Sequence, residues 1–153
     1  MMLTSLKRCL FSFTLAVMIL GAAGSNQTAK AEELSVESVP GTETVDVKKA
    51  KELFDAGALF VDSRSKAAFD AGRISGAESI PLSKTATDAD FAVVKASLEK
   101  MTTPEKPVVM YCNGVKCPLS AAMAAKAVEW GYKKVYYFRL GYPAWKEAGY
   151  AVE

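Results

Sequence analysis

The stretch from Pro107 to Gly131 limits the possible folds of this chain more than any other, because it joins three patterns in a fixed order. Val108–Tyr111 is apolar, too short for a helix, and bounded by a proline and an Asn-Gly pair, so it predicts a buried strand. An Ala-rich run with apolar residues at helical spacing follows, with Pro118 suited to its first position and Gly131 to its end. Cys112 is therefore expected at the carboxyl end of a strand, one short loop before a helix.

The loop from Cys112 to Cys117 carries groups that would turn the first thiol into a nucleophile. A tight loop on a helix N-terminus presents unpaired backbone N–H groups and a partial positive charge, and both stabilise a thiolate. At such sites the pKa of a cysteine falls from about 8.5 to roughly 3.5–7.5. Lys116 adds a cation. The alternative is that Cys112 is a small buried apolar residue at a strand end, without chemistry.

The N-terminal residues 1–31 have the pattern of a secretory signal peptide. Lys7 and Arg8 precede an apolar run, and a polar stretch then ends in Ala29-Lys30-Ala31. A basic start, an apolar run of this length and an A-x-A site predict cleavage before Glu32, and hence a periplasmic or secreted mature chain. The alternative is a retained membrane anchor, although the run is short for a membrane span, which needs about 20 apolar residues.

Loss of residues 1–31 changes what the composition indicates about partners. The full chain has 19 basic and 17 acidic residues, and cleavage removes three basic ones, so the formal charge falls from +2 to −1. The remaining lysines are scattered among acidic residues, which argues against a nucleic-acid surface. The chain contains no histidine, which excludes His-based triads and the usual zinc sites. We therefore expect no metal, no nucleic acid, and no membrane contact after cleavage.

The mature sequence predicts one α/β domain. Residues 32–43 are polar and unpatterned, so we expect a mobile leader there, followed by a single domain over residues 44–153. The predicted strands are Thr44–Val45, Leu59–Val61, Glu78–Ile80, Val108–Tyr111 and Lys134–Phe138. The first two predicted helices are Val47–Ala56, capped by Asp46, and Lys66–Ala71, capped by Ser65. A third reaches Lys100 and is capped by Asp88 or Asp90, a fourth starts at Pro118, and a fifth runs from Gly141 to Ala148. This alternation predicts an α/β sandwich around a mainly parallel sheet, with its ligand site at the carboxyl ends of the strands.

Four motifs, in order, resemble those of the rhodanese-like domain. They are Phe60-Val61-Asp62-Ser63-Arg64; Phe69-Asp70-Ala71-Gly72-Arg73-Ile74-Ser75-Gly76-Ala77 with Ile80-Pro81; Tyr111-Cys112; and Gly141-Tyr142-Pro143-Ala144-Trp145 with Ala148-Gly149-Tyr150. The resemblance spans residues 44–153. It implies the fold of that family, a three-layer α/β sandwich in which helices flank a five-stranded parallel sheet. It also implies the family's chemistry, which is transfer of sulfane sulfur through a cysteine persulfide.

The cysteine loop departs from the usual family pattern. Many relatives have a basic residue directly after the cysteine and Arg or Thr at the sixth position, whereas this chain has Asn113 and Cys117. The loop is similar to that of an exported subgroup with the pattern C-N-G-x-x-C. Its six-residue length is that of sulfurtransferases rather than the seven of the related dual-specificity phosphatases, and it has no arginine to clamp a phosphoryl group. Arg73 stands where most relatives have His, a position that is usually structural.

The resemblance makes Cys112 the catalytic sulfur carrier and the rest of the loop the substrate-binding segment. That segment consists of Asn113, Gly114, Val115, Lys116 and Cys117. We expect Cys117 to be a resolving thiol if its side chain turns inward, and Lys116 either to attract an anionic donor or to face solvent. Asp62 and Arg64 are expected to support neighbouring loops through hydrogen bonds. No organic cofactor or metal is needed, and the expected partner is a small sulfur-containing anion or a thiol.

The sequence therefore predicts an exported sulfurtransferase that moves sulfur from a donor such as thiosulfate to a thiol or cyanide through Cys112. Two alternatives stay open. An oxidising compartment favours pairing of Cys112 with Cys117, the only two cysteines of the mature chain, which would suit a thiol–disulfide redox protein. The third possibility is a non-catalytic binding domain that keeps the fold.

The signal-peptide pattern makes a direct prediction about export. Expressed with its native leader, the protein should be found in the periplasm or the medium, and its sequence should start at or near Glu32. N-terminal sequencing of the fractionated protein measures this. Intact cytoplasmic protein that begins at Met1 would contradict the prediction.

Overall fold

The computed structural model describes residues 34–153, which form a five-stranded sheet with helices on both faces. The strands are β1 (Glu43–Thr44), β2 (Leu59–Asp62), β3 (Glu78–Ser79), β4 (Val108–Tyr111) and β5 (Val135–Phe138). The helices are α1 (Val47–Asp55), α2 (Lys66–Asp70), α3 (Asp88–Met101), α4 (Leu119–Glu129) and α5 (Gly141–Glu147). All strand pairs are parallel, in the order β1-β5-β4-β2-β3. The predicted three-layer α/β sandwich is confirmed.

The central strand β4 aligns the ends of its two neighbours. Tyr111 at its end pairs with Asp62 of β2 on one side and with Phe138 of β5 on the other. Because parallel strands run in the same direction, the residues that follow these three positions come out at one edge of the sheet. Cys112 is therefore placed between the β2–α2 connection and the β5–α5 connection.

Alternation along β4 divides the apolar core into two layers. Val108 and Met110 pack on the face covered by α3 and α4, together with Leu98 and Met123. Val109 and Tyr111 point to the opposite face, which the remaining helices cover and where Trp145 is fully buried. Successive side chains of a strand point to opposite faces, so a strand buried on both sides is apolar throughout.

The predicted helix starts are confirmed for α1 and α2 and corrected for α3. Asp46 accepts a hydrogen bond from the N–H of Lys49 at 2.7 Å, and Ser65 accepts one from Ala68 at 3.3 Å. The cap of α3 is Thr87 rather than Asp88 or Asp90. Its hydroxyl accepts from the N–H of Asp90, whose carboxylate accepts in return from the N–H of Thr87 at 2.7 Å. This reciprocal capping box pairs two donors, one more than a single cap would pair.

Helix α4 starts one residue later than predicted. Pro118 lies at its N-cap rather than at its first helical position, and Leu119 begins the helix. At its other end, Gly131 follows the C-cap with φ +90°, as the predicted stop requires. The strand, loop and helix expected around Cys112 are thus all present in that order.

The N-terminal part of the described chain is packed, which contradicts the expectation of a mobile leader over residues 32–43. Ser35 and Val39 are buried, and Val39 packs against Ala121 and Tyr137. We call residues 34–39 the strap. The sequence did not predict this packing, because a segment that lies on the surface of a domain can be held by a few isolated buried residues. The predicted signal peptide, residues 1–31, lies outside the described residues, and over residues 34–153 the structure contains no helix that could span a membrane.

Arg73, which departs from the family pattern, joins the chain end to the domain. Its guanidinium lies 2.6 Å from the carboxylate of Glu153 and stacks over the ring of Phe69. The backbones of Arg73 and Glu153 also exchange two hydrogen bonds, at 2.9 and 3.0 Å. The hydrogen bond from Gly76 N–H and that from Arg73 lower the pKa of Glu153. The arginine therefore has a structural role here.

Candidate active site

Cys112 directly follows β4 and is almost completely buried, whereas Cys117 at the other end of the loop is half-buried. A disulfide joins them, with their Cα atoms 6.2 Å apart. This separation lies inside the limit of about 7 Å for a bridge, so the curvature of the loop does not keep its ends apart. The structure thus shows the oxidised state of the loop, in which neither cysteine is a nucleophile.

The backbone of the loop pairs one of its amides internally and leaves three without a partner among the described residues. The N–H of Cys117 donates to the carbonyl of Gly114 at 2.9 Å, which closes a turn inside the loop. The amide of Cys117 is therefore used inside the loop, although Cys117 belongs to the predicted substrate-binding segment. Within residues 34–153, the N–H groups of Asn113, Gly114 and Val115 make no hydrogen bond to a protein acceptor. These are the amides that remain for an anionic sulfur group.

A cleft of about 300 Å³ opens over the disulfide. Its lining residues are Arg64, Ser65, Lys84, Cys112, Asn113, Lys116, Cys117 and Leu119. All charged side chains in this lining are cationic. Because clustered charges of one sign raise the local concentration of oppositely charged ligands, the cleft favours an anion.

Lys84 is the lining residue that sequence reasoning missed. It lies in the polar connection between β3 and α3, far along the chain from the cysteines. It reaches the cleft because β3 pairs with β2, whose end lies beside that of β4. No local pattern distinguishes it from other surface lysines, so only the strand order could have identified it.

Asp62 and Arg64 form a buried pair beside the cysteine loop. The guanidinium and carboxylate approach to 2.6 Å, and both side chains are less than 5% exposed. Arg64 also donates to the carbonyl of Gly72 at 2.7 Å and lies over the ring of Tyr142 at 4.3 Å. These contacts tie the end of β2 to the segment before β3 and to α5. Asp62 and Arg64 are therefore placed to support the neighbouring loops.

The charges of Asp62 and Arg64 affect the pKa values of Arg64 itself and of Tyr111. Burial lowers the pKa of Arg64, but the hydrogen bond and charge of Asp62 outweigh it, so the pKa lies above its ordinary value. Burial and the Asp62 carboxylate raise the pKa of Tyr111. Arg64 thus stays cationic and Tyr111 stays neutral at physiological pH, and the charge of Arg64 is balanced by that of Asp62.

The start of α5 supports the cysteine loop by direct backbone contact. The N–H of Tyr142 donates to the carbonyl of Cys112 at 3.0 Å. Gly141 has φ +62°, and a Cβ atom on it would lie only 2.2 Å from the Cys112 oxygen and 2.8 Å from the nitrogen of Gly114. Both its conformation and its surroundings require glycine. The Gly-Tyr-Pro motif is thus part of the site, although it lies outside the cysteine loop.

The sequence model of the rhodanese-like domain matches residues 46–148, well over half of the chain. The chain belongs to the rhodanese-like domain family. This confirms the resemblance of the four motifs, and the rhodanese-like domain includes every predicted site residue. A search of curated proteins found no significant match.

Solved structures share the fold of this rhodanese-like domain at low sequence identity. The BH2092 protein of Bacillus halodurans is 25% identical over 73% of this chain and 77% of its own, with a TM-score of 0.57. The polysulfide-sulfur transferase homodimer of Wolinella succinogenes is 19% identical over 74% and 79%, with a TM-score of 0.57. The thiosulfate sulfurtransferase of Pseudomonas aeruginosa is 22% identical over 73% of this chain but only 20% of its own, with a TM-score of 0.53. These likenesses show the fold that the family match implies.

Substitution of Gly141 tests whether α5 supports the loop. Gly141→Ala should destabilise the domain by more than the cost of a left-handed alanine, about 1–2 kcal/mol, because its Cβ also displaces the backbone of Cys112. Gly149→Ala is the matched control, since Gly149 has φ +73° and no described atom within 4 Å of the added Cβ. Urea unfolding of the two variants measures the difference. Equal losses of stability would show that the contact does not hold the loop.

Proposed function

We propose that this rhodanese-like domain is an exported sulfurtransferase that carries sulfane sulfur on Cys112. The observation that supports this is the position of Cys112 at the carboxyl end of the central strand, in a cleft whose charged lining residues are all cationic. Such a cleft suits a small sulfur-containing anion such as thiosulfate. Cys112 is 2% exposed and lines the cleft, so a donor must be small to reach it.

The transfer requires the reduced loop and proceeds in two displacements. The Cys112 thiolate attacks the outer sulfur of thiosulfate, the bond between the two thiosulfate sulfurs breaks, and sulfite leaves with the bonding electrons. The persulfide on Cys112 is then attacked at its outer sulfur by cyanide or by an acceptor thiolate, and the Cys112 thiolate leaves. The amides of Asn113, Gly114 and Val115, together with the cationic side chains, stabilise the negative sulfur at each stage.

Cys117 gives the loop a second way to discharge the persulfide. Its thiolate can attack the Cys112 sulfur, which forms the disulfide seen in the structure and releases the outer sulfur as hydrosulfide. A thiol reductant must then supply two electrons before the next cycle. The disulfide is also the specific observation that favours the second candidate function, a thiol–disulfide redox protein that uses Cys112 and Cys117 without sulfur transfer.

Cysteine variants separate these functions. After reduction, thiosulfate:cyanide transfer should be lost in Cys112→Ser and kept or increased in Cys117→Ser, whose persulfide should live longer because no thiol resolves it. Mass spectrometry of protein treated with thiosulfate should show a gain of about 32 Da on Cys112. Loss of transfer in Cys117→Ser with an active Cys112→Ser would reverse the two roles. A reduced wild-type protein without transfer that still exchanges disulfides with glutathione would support the redox function, and one without either activity would indicate a binding domain.

Lys84 should act on the binding of the anionic donor. Lys84→Ala should raise the KM for thiosulfate by roughly threefold to fivefold at low ionic strength and leave kcat nearly unchanged, because a single cleft-side charge acts on encounter and binding. The effect should shrink as salt is added. Lys95→Ala, on an exposed face of α3, is the control and should leave KM unchanged. An equal effect of both variants would mean that the cleft does not bind the donor.

A further inference from the structure

We infer that the strap, residues 34–39, positions the cysteine loop, and that Ser35 is the residue through which it acts. Both the backbone N–H and the hydroxyl of Ser35 donate to the carbonyl oxygen of Val115, at 2.7 and 2.9 Å. Val115 lies in the middle of the loop that the disulfide closes. A carbonyl oxygen has two lone pairs, and here one residue occupies both.

Ser35 is itself held from the side of the domain. The side chain of Arg139 donates to the carbonyl of Ser35 at 2.9 Å and to that of Val36 at 3.0 Å. The buried hydroxyl of Tyr137 donates to the Ser35 hydroxyl at 3.2 Å. Tyr137 belongs to β5 and Arg139 follows it directly, so the sheet supports the strap and the strap supports the loop. Ser35 is 6% exposed, which means that water does not compete for these hydrogen bonds.

The contact at Val115 fixes the direction of the next amide. In a planar trans peptide the C=O and the following N–H point in opposite directions. Ser35 holds the Val115 carbonyl on the strap side, so the N–H of Lys116 points away from the strap. In the same way, the hydrogen bond from Tyr142 N–H to the Cys112 carbonyl orients the N–H of Asn113. Asn113 and Lys116 both line the cleft with Cys112. The strap thus fixes the peptide between Val115 and Lys116, and with it the course of the loop between Cys112 and Cys117.

The strap has its largest effect in the reduced state. In the oxidised loop the disulfide fixes both ends covalently, whereas after reduction the hydrogen bonds at Cys112 and Val115 carry this role. The reduced state is the one in which Cys112 reacts. The strap also lies outside the segment that the family shares, since the match begins at residue 46.

Only the consequence for sulfur transfer rests on the proposed function; the effect on the reactivity of Cys112 does not. The charged groups around Cys112 are Arg64, Lys84 and Lys116 in the cleft, with Asp62 bound to Arg64. None of them is altered in Ser35→Ala, so a change in the pH dependence of Cys112 in that variant measures the geometry of the loop. Arg139→Gln also removes a positive charge beside the strap.

The test compares the variants Ser35→Ala and Arg139→Gln with Ser38→Ala, which changes an exposed serine of the same strap. Alkylation of Cys112 in the reduced protein is followed by mass spectrometry across a range of pH, with circular dichroism as the check of folding. We expect the midpoint of the pH–rate profile to rise by about half a pKa unit in Ser35→Ala and in Arg139→Gln, which is roughly threefold less thiolate below the midpoint. Ser38→Ala should match the wild type, and Ser35→Thr, which keeps the hydroxyl, should restore most of the shift.

Unchanged midpoints in folded Ser35→Ala and Arg139→Gln would overturn the inference, as would an equal shift in Ser38→Ala. If Ser35→Ala does not fold, Tyr137→Phe decides, because it removes a hydrogen bond to the Ser35 hydroxyl without changing a charge or touching the loop. A shifted midpoint in a protein whose wild type transfers no sulfur would refute the proposed function and leave the inference standing. An unchanged midpoint in Ser35→Ala, in a protein whose wild type transfers sulfur, would refute the inference and leave the proposed function standing.

Discussion

The close backbone contact between the start of α5 and the cysteine loop is the constraint on which the site depends. Gly141 leaves no room for a side chain beside the Cys112 carbonyl, and Tyr142 donates to that same oxygen. This contact is possible because β4 and β5 are adjacent and in register, so that the segments after Tyr111 and Phe138 leave the sheet together. The register of β4 and β5 therefore sets the position of the Cys112 sulfur.

A second support reaches the loop from the other end of the chain. The strap contacts Val115 and is in turn held by Tyr137 and Arg139, which lie at the end of β5. Both supports therefore lead back to the same strand. The buried pair of Asp62 and Arg64 completes the site from the side of β2. A buried pair of this kind adds little net stability compared with an apolar packing, so its contribution here is to fix the segments that Arg64 contacts.

The disulfide and the proposed sulfur chemistry are two states of one loop. A loop that brings the two cysteine Cα atoms to 6.2 Å favours a bridge, while the amides around Cys112 favour a thiolate or a persulfide. The same curvature serves both, because it also brings Cys117 near Cys112. A reductant therefore decides whether the loop can take part in sulfur transfer, and the redox poise of the compartment would set the active fraction.

The order of strands and helices, the position of Cys112 between β4 and α4, and the family could all be predicted from the sequence, because they follow from local patterns and from motifs that recur in order. It misplaced the cap of α3, since Thr87, Asp88 and Asp90 are all good capping residues and only the reciprocal hydrogen bonds with Asp90 select Thr87. The tertiary structure alone decided that Ser35 contacts Val115, that Lys84 lines the cleft, and that the amide of Cys117 is used inside the loop. The first two join residues far apart in the chain through the order of the strands, and the third depends on how the loop curls. Local sequence patterns carry no information on any of these distances.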